Sequence, residues 1–207
     1  SLQQFGFVHD TEVGKSGFIT ALYIVFVPII SLFLGRRGSP LLWAAVALSL
    51  VGLWFLCIPP EGFTIAAGDL FVLACAVVFS LHILVIGRYV LLVDAVELSM
   101  MQFFCGSILA FFAMLALESP TWIGWQTALP AMLWAGIMSN GIAYTLQIVG
   151  QRGMNDTTSS LILSLESVFS VISGWLILNE VLSMREGLGC VLMAAAVVLA
   201  QLPGNKR

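Results

Sequence analysis

Seven long apolar runs constrain the fold of this chain more than any other feature of its sequence. A helix that crosses about 30 Å of hydrocarbon needs roughly 20 apolar residues, and each run is about that long. The runs are continuously apolar, whereas the strands of a membrane barrel alternate between apolar and polar residues over about ten positions. The predicted spans are residues 16–34, 40–58, 68–86, 95–117, 127–149, 157–178 and 186–202. The sequence therefore predicts an all-α polytopic membrane protein whose core is a single helix bundle.

The composition argues against most classes of soluble protein. Hydrophobic residues make up 60% of the chain and charged residues only 9%, whereas soluble domains are about one-quarter charged. The net charge is -3, and the sequence has no basic stripe of the kind that binds nucleic acid. The two histidines, His9 and His82, have no second metal ligand at helical spacing, and the sequence has no glycine-rich phosphate loop. We therefore expect a protein embedded in the lipid bilayer, with no catalytic activity and no metal or other cofactor.

The distribution of positive charge predicts the orientation of the spans, because Lys and Arg in short loops are retained on the cytoplasmic side. With loops on alternating sides, two basic residues, Lys15 and Arg185, fall on one side and six on the other. The six are Arg36, Arg37, Arg88, Arg152, Lys206 and Arg207. This count predicts a multi-pass protein of a bacterial-type inner membrane with its C-terminus in the cytoplasm.

An internal repeat relates the two ends of the chain. When the sequence is shifted by 144 positions, residues 1–57 align with residues 145–201 without a gap, and Ser16 and Ser39 meet Ser160 and Ser183. The step from the span at 16–34 to its equivalent at 157–178 passes through five helices, and an odd step inverts the second copy in the membrane. Inverted repeats are typical of secondary transporters, in which the two copies exchange roles as the cavity opens to one side and then to the other.

The same shift predicts further helices before Ser1. The equivalent of Gly68 would lie about 77 residues before the first residue, and the chain does not begin with Met. We therefore expect a truncated form of a ten-helix molecule. In this interpretation residues 1–58 are the last part of a first repeat, and residues 68–202 are a complete second repeat of five helices.

Three short motifs resemble a known family of transporters. They are IAYTLQ at 142–147, SLESVF at 164–169 and LNE at 178–180. The chain resembles the EamA-type members of the drug/metabolite transporter superfamily over essentially its whole length. The resemblance implies a fold of two inverted five-helix halves around a central cavity, and transport of amino acids, related metabolites or drug-like solutes. Ser167 stands where this family commonly has proline, so we expect a weaker kink at that point.

Polar side chains inside the predicted spans are candidate solute-binding residues, because polar groups are costly in hydrocarbon. At 100° per residue, two neighbouring spans each carry a polar stripe. The stripes are Asn140, Tyr144 and Gln147 on the fifth span, and Glu166, Ser170 and Ser173 on the sixth. Both could line one cavity, or they could form hydrogen bonds that hold the bundle together. His82 and Gln102 are lone polar residues that could contact substrate, although an isolated histidine is more often structural.

Glu166 is the acidic residue that the span boundaries place nearest the bilayer centre. We expect its carboxyl group to be neutral or hydrogen-bonded in at least one conformation, because a charged carboxylate is costly there. The group could bind and release a proton, could hold a substrate amine, or could bond to a neighbouring helix without changing state. A lining of one acid, amides, a phenol and hydroxyls suits small zwitterionic or weakly polar solutes.

Two functions from different classes remain open at this point. The first is a secondary transporter that moves a small metabolite across the inner membrane by alternating access, with possible coupling to protons. The second is a membrane fragment or subunit that packs with a partner and transports nothing by itself.

Overall fold

The computed structural model describes residues 2–9, 11, 13–36, 38–58, 66–117, 122–177 and 183–202. The regular elements in these ranges are all helical, which confirms the predicted all-α class. The α-helices are α1 (Leu2–Val8), α2 (Val13–Ala21), α3 (Tyr23–Phe33), α4 (Pro40–Cys57), α5 (Gly68–Tyr89), α6 (Ala95–Leu117), α7 (Trp122–Trp134), α8 (Tyr144–Gln151), α9 (Asp156–Leu163), α10 (Glu166–Ile177) and α11 (Met184–Gln201). A π-helical segment, Ala135–Ala143, joins α7 to α8.

Six helical stretches in the described ranges are long and apolar enough to cross a membrane. They are Lys15–Phe33, Pro40–Cys57, Gly68–Tyr89, Ala95–Ala116, Asp156–Ile177 and Met184–Gln201. The predicted fifth span, residues 127–149, differs from the others. It lies within a longer stretch in which α7, the π-helical segment and α8 follow one another without a break. The seven predicted spans therefore correspond to six candidate spans and one mixed α/π helix.

Two of the spans are interrupted near their middle. A turn at Leu22 separates α2 from α3, and a turn at Ser164 and Leu165 separates α9 from α10. The hydroxyl of Ser164 donates a hydrogen bond to the carbonyl oxygen of Leu161 at 2.7 Å. Bonds of this kind compete with the helical ladder and bend helices. This interruption lies two to three residues before Ser167, and the weaker kink expected at Ser167 itself stays a prediction.

The described residues divide into two compact units, each considered by itself below. The first unit comprises Ser1–Leu84 and Asn155–Arg207, and the second comprises Val85–Met154. In the first unit the most extensive helix contact is between α4 and α11. Fully buried side chains of its core are Ile24, Val27, Leu53, Leu161 and Met193. In the second unit a smaller core is formed by Ile86, Val90, Ala95 and Ile148.

The helices α4 and α11 are equivalent under the shift of 144 residues, and they pack antiparallel to each other. Each begins after a serine cap, Ser39 or Ser183, whose hydroxyl accepts a hydrogen bond from the backbone of the first turn. Ser49 donates to the sulfur of Met193, a residue 144 positions away, at 3.1 Å. Gly52 lies close to Gly189. Residues later in α4 therefore contact residues earlier in α11, as expected for antiparallel helices. A contact between equivalent positions of antiparallel helices is the arrangement that a two-fold axis perpendicular to both helices produces.

Candidate functional site

The first unit contains an open cavity of about 310 Å³. Its wall is formed by α1, by the two interrupted spans and by the C-terminal end of α4. Polar side chains occur on all sides except that of α4, where Leu56 and Cys57 form the wall. The polar lining residues are Gln3, Thr20, Tyr23, Ser164, Glu166, Ser167 and Ser170. The cavity therefore combines a carboxylate and hydroxyl groups with an apolar surface, as small-molecule sites commonly do.

Glu166 lies on the cavity wall, immediately after the turn that interrupts the sixth span. The residue opens α10, and its side chain is exposed. An acidic side chain in the first turn of a helix interacts favourably with the helix dipole. Ser170 lies one turn farther along the same helix and is also on the wall. Among the residues that the structure describes, none makes a hydrogen bond or an ion pair with the Glu166 carboxylate.

Tyr23 and Gln3 are held in place on the opposite side of this cavity. Tyr23 is buried, and its ring meets the edge of Phe79 with ring centroids 5.1 Å apart. The amide of Gln3 donates to the hydroxyl of Ser16 at 3.4 Å. The hydroxyl of Thr20 is a buried oxygen for which no hydrogen-bond partner is found in the described part of the chain.

Two other candidates in the first unit lie away from the cavity wall. Ser173 is exposed and lies beyond Val171, the last residue of α10 that lines the cavity. His82 is half-buried in α5, and its ring stacks on Phe79 with centroids 5.9 Å apart and the planes inclined by 22°. The hypothesis that either residue contacts substrate stays a prediction.

The remaining candidates belong to the second unit. Asn140 is an exposed residue of the π-helical segment, a feature that is frequent at functional sites. The ring of Tyr144 packs on the edge of Phe103, with centroids 5.8 Å apart. Gln102 and Gln147 are half-buried, and the Gln147 nitrogen has no hydrogen-bond partner within the described ranges. Since the two polar stripes fall in different units, their shared cavity also stays a prediction.

Two ion pairs in the first unit were not predicted from the sequence. Lys15 and Asp69 are both buried, with nitrogen and oxygen 3.1 Å apart, and the same carboxylate accepts a hydrogen bond from Thr11. Arg36 forms an ion pair with Asp156, whose side chain is only 8% exposed. The sequence alone predicts that both cations are loop charges. The sequence feature that indicates both ion pairs is an acidic residue in the first turn of an otherwise apolar span, because a buried charge needs a partner.

Comparison with known proteins identifies the family. A family model described as the EamA-like transporter family matches residues 66–202. The chain belongs to this family. It is also 31% identical, over 202 residues, to an uncharacterized transporter of Archaeoglobus fulgidus. The alignment covers 93% of this chain and 61% of that transporter, so the chain spans less than two-thirds of its relative's length.

A solved structure supports the fold of this EamA-like chain. A protein crystal structure superposes with a TM-score of 0.80 over 98% of this chain and 71% of its own chain, at 21% sequence identity. At this identity the similarity shows the fold alone. The family match and the transporter relative confirm the resemblance drawn from the sequence motifs. They identify the chain as a multi-pass membrane protein of a transporter family.

Proposed function

We propose that this chain acts as a secondary transporter that moves a small metabolite across a bacterial-type inner membrane, with the cavity beside Glu166 as the solute site. The observation that carries the proposal is a carboxylate that has no partner among the described residues and lies on the wall of an open cavity, about halfway along an apolar span. Ionisable groups at such depth are costly and mark solute or ion pathways. A carboxylate with only a structural role would be expected to have a partner in the bundle.

The geometry of the first unit supports alternating access as the mechanism. The antiparallel helices α4 and α11 are sequence equivalents and meet at Ser49 and Met193. The spans that precede them in each repeat are both interrupted, at Leu22 and at Ser164. Transporters with inverted repeats commonly bind solute at discontinuous helices near the bilayer midplane. Movement of the half-helices about these two turns would open the cavity to one side or to the other.

The lining also suggests how protons could be coupled to transport. Glu166 can carry a proton or a negative charge, and it lies on the wall that a solute would contact. A proton and a solute would then compete for one carboxylate. The cavity would open on the side of Lys15 and Leu56, which is the outer side of the membrane in the orientation that the charge count predicts.

Flux measurements test the proposal. The chain would be reconstituted in liposomes, and uptake and efflux of a panel of labelled amino acids, amines and related metabolites would be followed at several pH values. We expect Glu166→Gln to insert normally and to lose the pH dependence of transport, because the amide keeps hydrogen bonding but cannot titrate. Glu97→Gln is the matched control, since Glu97 is an exposed acid at the start of α6. A chain that inserts correctly and moves no member of the panel would contradict the proposal.

A further inference from the structure

The acidic residues in the described spans of the first unit differ in their partners. Asp69 and Asp156 lie at the first turns of their helices, and each is paired with a cation. Glu186 completes a capping box with the serine before α11. Glu166 lies deeper in its span than any of these acids and has no such partner among the residues that the structure describes. Within the described ranges, the acids at the span ends therefore have partners, whereas Glu166 remains available to a solute.

An unpaired carboxylate in this position has a clear chemical preference. The Glu166 side chain is exposed to the open cavity, and the described lining residues offer it apolar surface and hydroxyl groups but no cation. An ammonium group of a solute would supply both the opposite charge and N–H donors, and charge-assisted hydrogen bonds are about twice as strong as neutral ones. A neutral solute could supply only part of this stabilisation.

The composition of the rest of the wall affects which charged solutes can bind. Its described residues include no Lys or Arg. The carboxylate of an anionic or zwitterionic solute would therefore meet Glu166 without a cationic side chain nearby. The rings of Phe7 and Tyr23 line the same cavity, and aromatic faces attract cations. A volume of about 310 Å³ lies at the lower end of the range for ligand pockets.

We propose that this cavity selects small solutes that carry an ammonium group and no carboxylate, with Glu166 as their counter-ion and Phe7 and Tyr23 as the apolar wall. This inference rests on the proposed transport function. It replaces the zwitterionic and weakly polar solutes suggested by the sequence with cationic amines.

A matched series of solutes tests the inference. Phenethylamine, phenylalanine and 3-phenylpropionate share a ring and differ in their charged groups. Binding of each labelled compound to the purified chain would be measured by equilibrium dialysis, and its flux would be measured in liposomes. Because phenylalanine and 3-phenylpropionate each carry a carboxylate that Glu166 would repel, with no cation among the described wall residues, we expect the amine to bind about tenfold or more tightly than the other two. Glu166→Gln should abolish this preference, and Glu97→Gln should retain it, with thermal unfolding as the check that both variants fold.

The outcomes separate this inference from the proposed function. Flux of phenylalanine or of an uncharged metabolite, without any preference for the amine, would overturn the inference and leave the transporter in place. Binding of the amine that depends on Glu166, with no flux of any compound, would overturn the transport function and leave the amine site in place. A preference for the amine that survives Glu166→Gln would overturn the assignment of the counter-ion.

Discussion

The contact between α4 and α11 predicts that Gly189 cannot accept even a methyl group without moving a helix. A Cβ atom built on Gly189 would lie 2.8 Å from the carbonyl oxygen of Gly52 and 3.1 Å from the backbone nitrogen of Leu56. Both are backbone atoms of α4, so rotation of a side chain cannot relieve the contact. Small residues at such positions allow the backbones of membrane helices to approach closely.

The expected change in stability on Gly189→Ala results from two opposing effects. Alanine in place of glycine favours a helix by about 1 kcal/mol, whereas overpacking a close contact costs about 1–3 kcal/mol. Gly187 offers a matched control on the same helix, because a Cβ atom there meets no described atom within 4 Å. Both variants gain the helix preference, and only Gly189→Ala has the clash. We therefore expect Gly189→Ala to be less stable than Gly187→Ala by about 1–3 kcal/mol.

Thermal unfolding in detergent micelles would measure this difference. A loss of this size corresponds to several degrees in Tm for a chain of this length. Gly52→Ala should behave like Gly189→Ala, since a Cβ atom on Gly52 would lie 3.1 Å from the carbonyl oxygen of Gly189. If Gly189→Ala unfolds at the same temperature as Gly187→Ala or at a higher one, the close approach of the two helices is not present in the folded chain.

Three further predictions concern the charges. Lys15→Met should destabilise the chain by about 3–5 kcal/mol in denaturant unfolding, because it leaves a buried carboxylate unpaired, and Lys15→Arg should restore most of the loss. A double-mutant cycle with Arg36→Ala and Asp156→Ala should give a coupling energy of about 0.2–1 kcal/mol, because the Arg36 side chain is 47% exposed. A coupling energy indistinguishable from zero would contradict this pair. In a chain freed of its native cysteines, a cysteine at Met154 should be shielded from an impermeant thiol reagent outside the cell and one at Met184 should react, and the reverse pattern would contradict the orientation.

The sequence predicted the spans well because hydrocarbon thickness sets their length. The predicted span at 40–58 corresponds to α4 (Pro40–Cys57), and most other predicted ends lie within about three residues of the helices found. The interruption at Ser164 was not predicted, because a serine that bonds to its own helix leaves the hydropathy of the run almost unchanged. The π-helical middle of the fifth stretch was missed for a related reason, since π-helical and α-helical segments have similar composition.

The candidate site was only partly predictable. Glu166 was identifiable because one charge in an apolar run is a strong signal, and Ser170 followed from its spacing of four residues on the same helix. Ser173 also shares this face, yet it lies beyond the cavity, because spacing along a helix fixes direction and leaves depth open. The contribution of α1, through Gln3 and Phe7, depends on tertiary contacts that no local pattern encodes.

The two ion pairs change the count of basic residues that predicts the orientation, because a cation that is neutralised by a partner need not act as a free loop charge. Lys15 was counted on the side with few charges, and Arg36 was counted on the side with many. Omitting both reduces the count from six against two to five against one. The asymmetry therefore does not depend on the paired residues, and the prediction of a cytoplasmic C-terminus rests on basic residues other than Lys15 and Arg36.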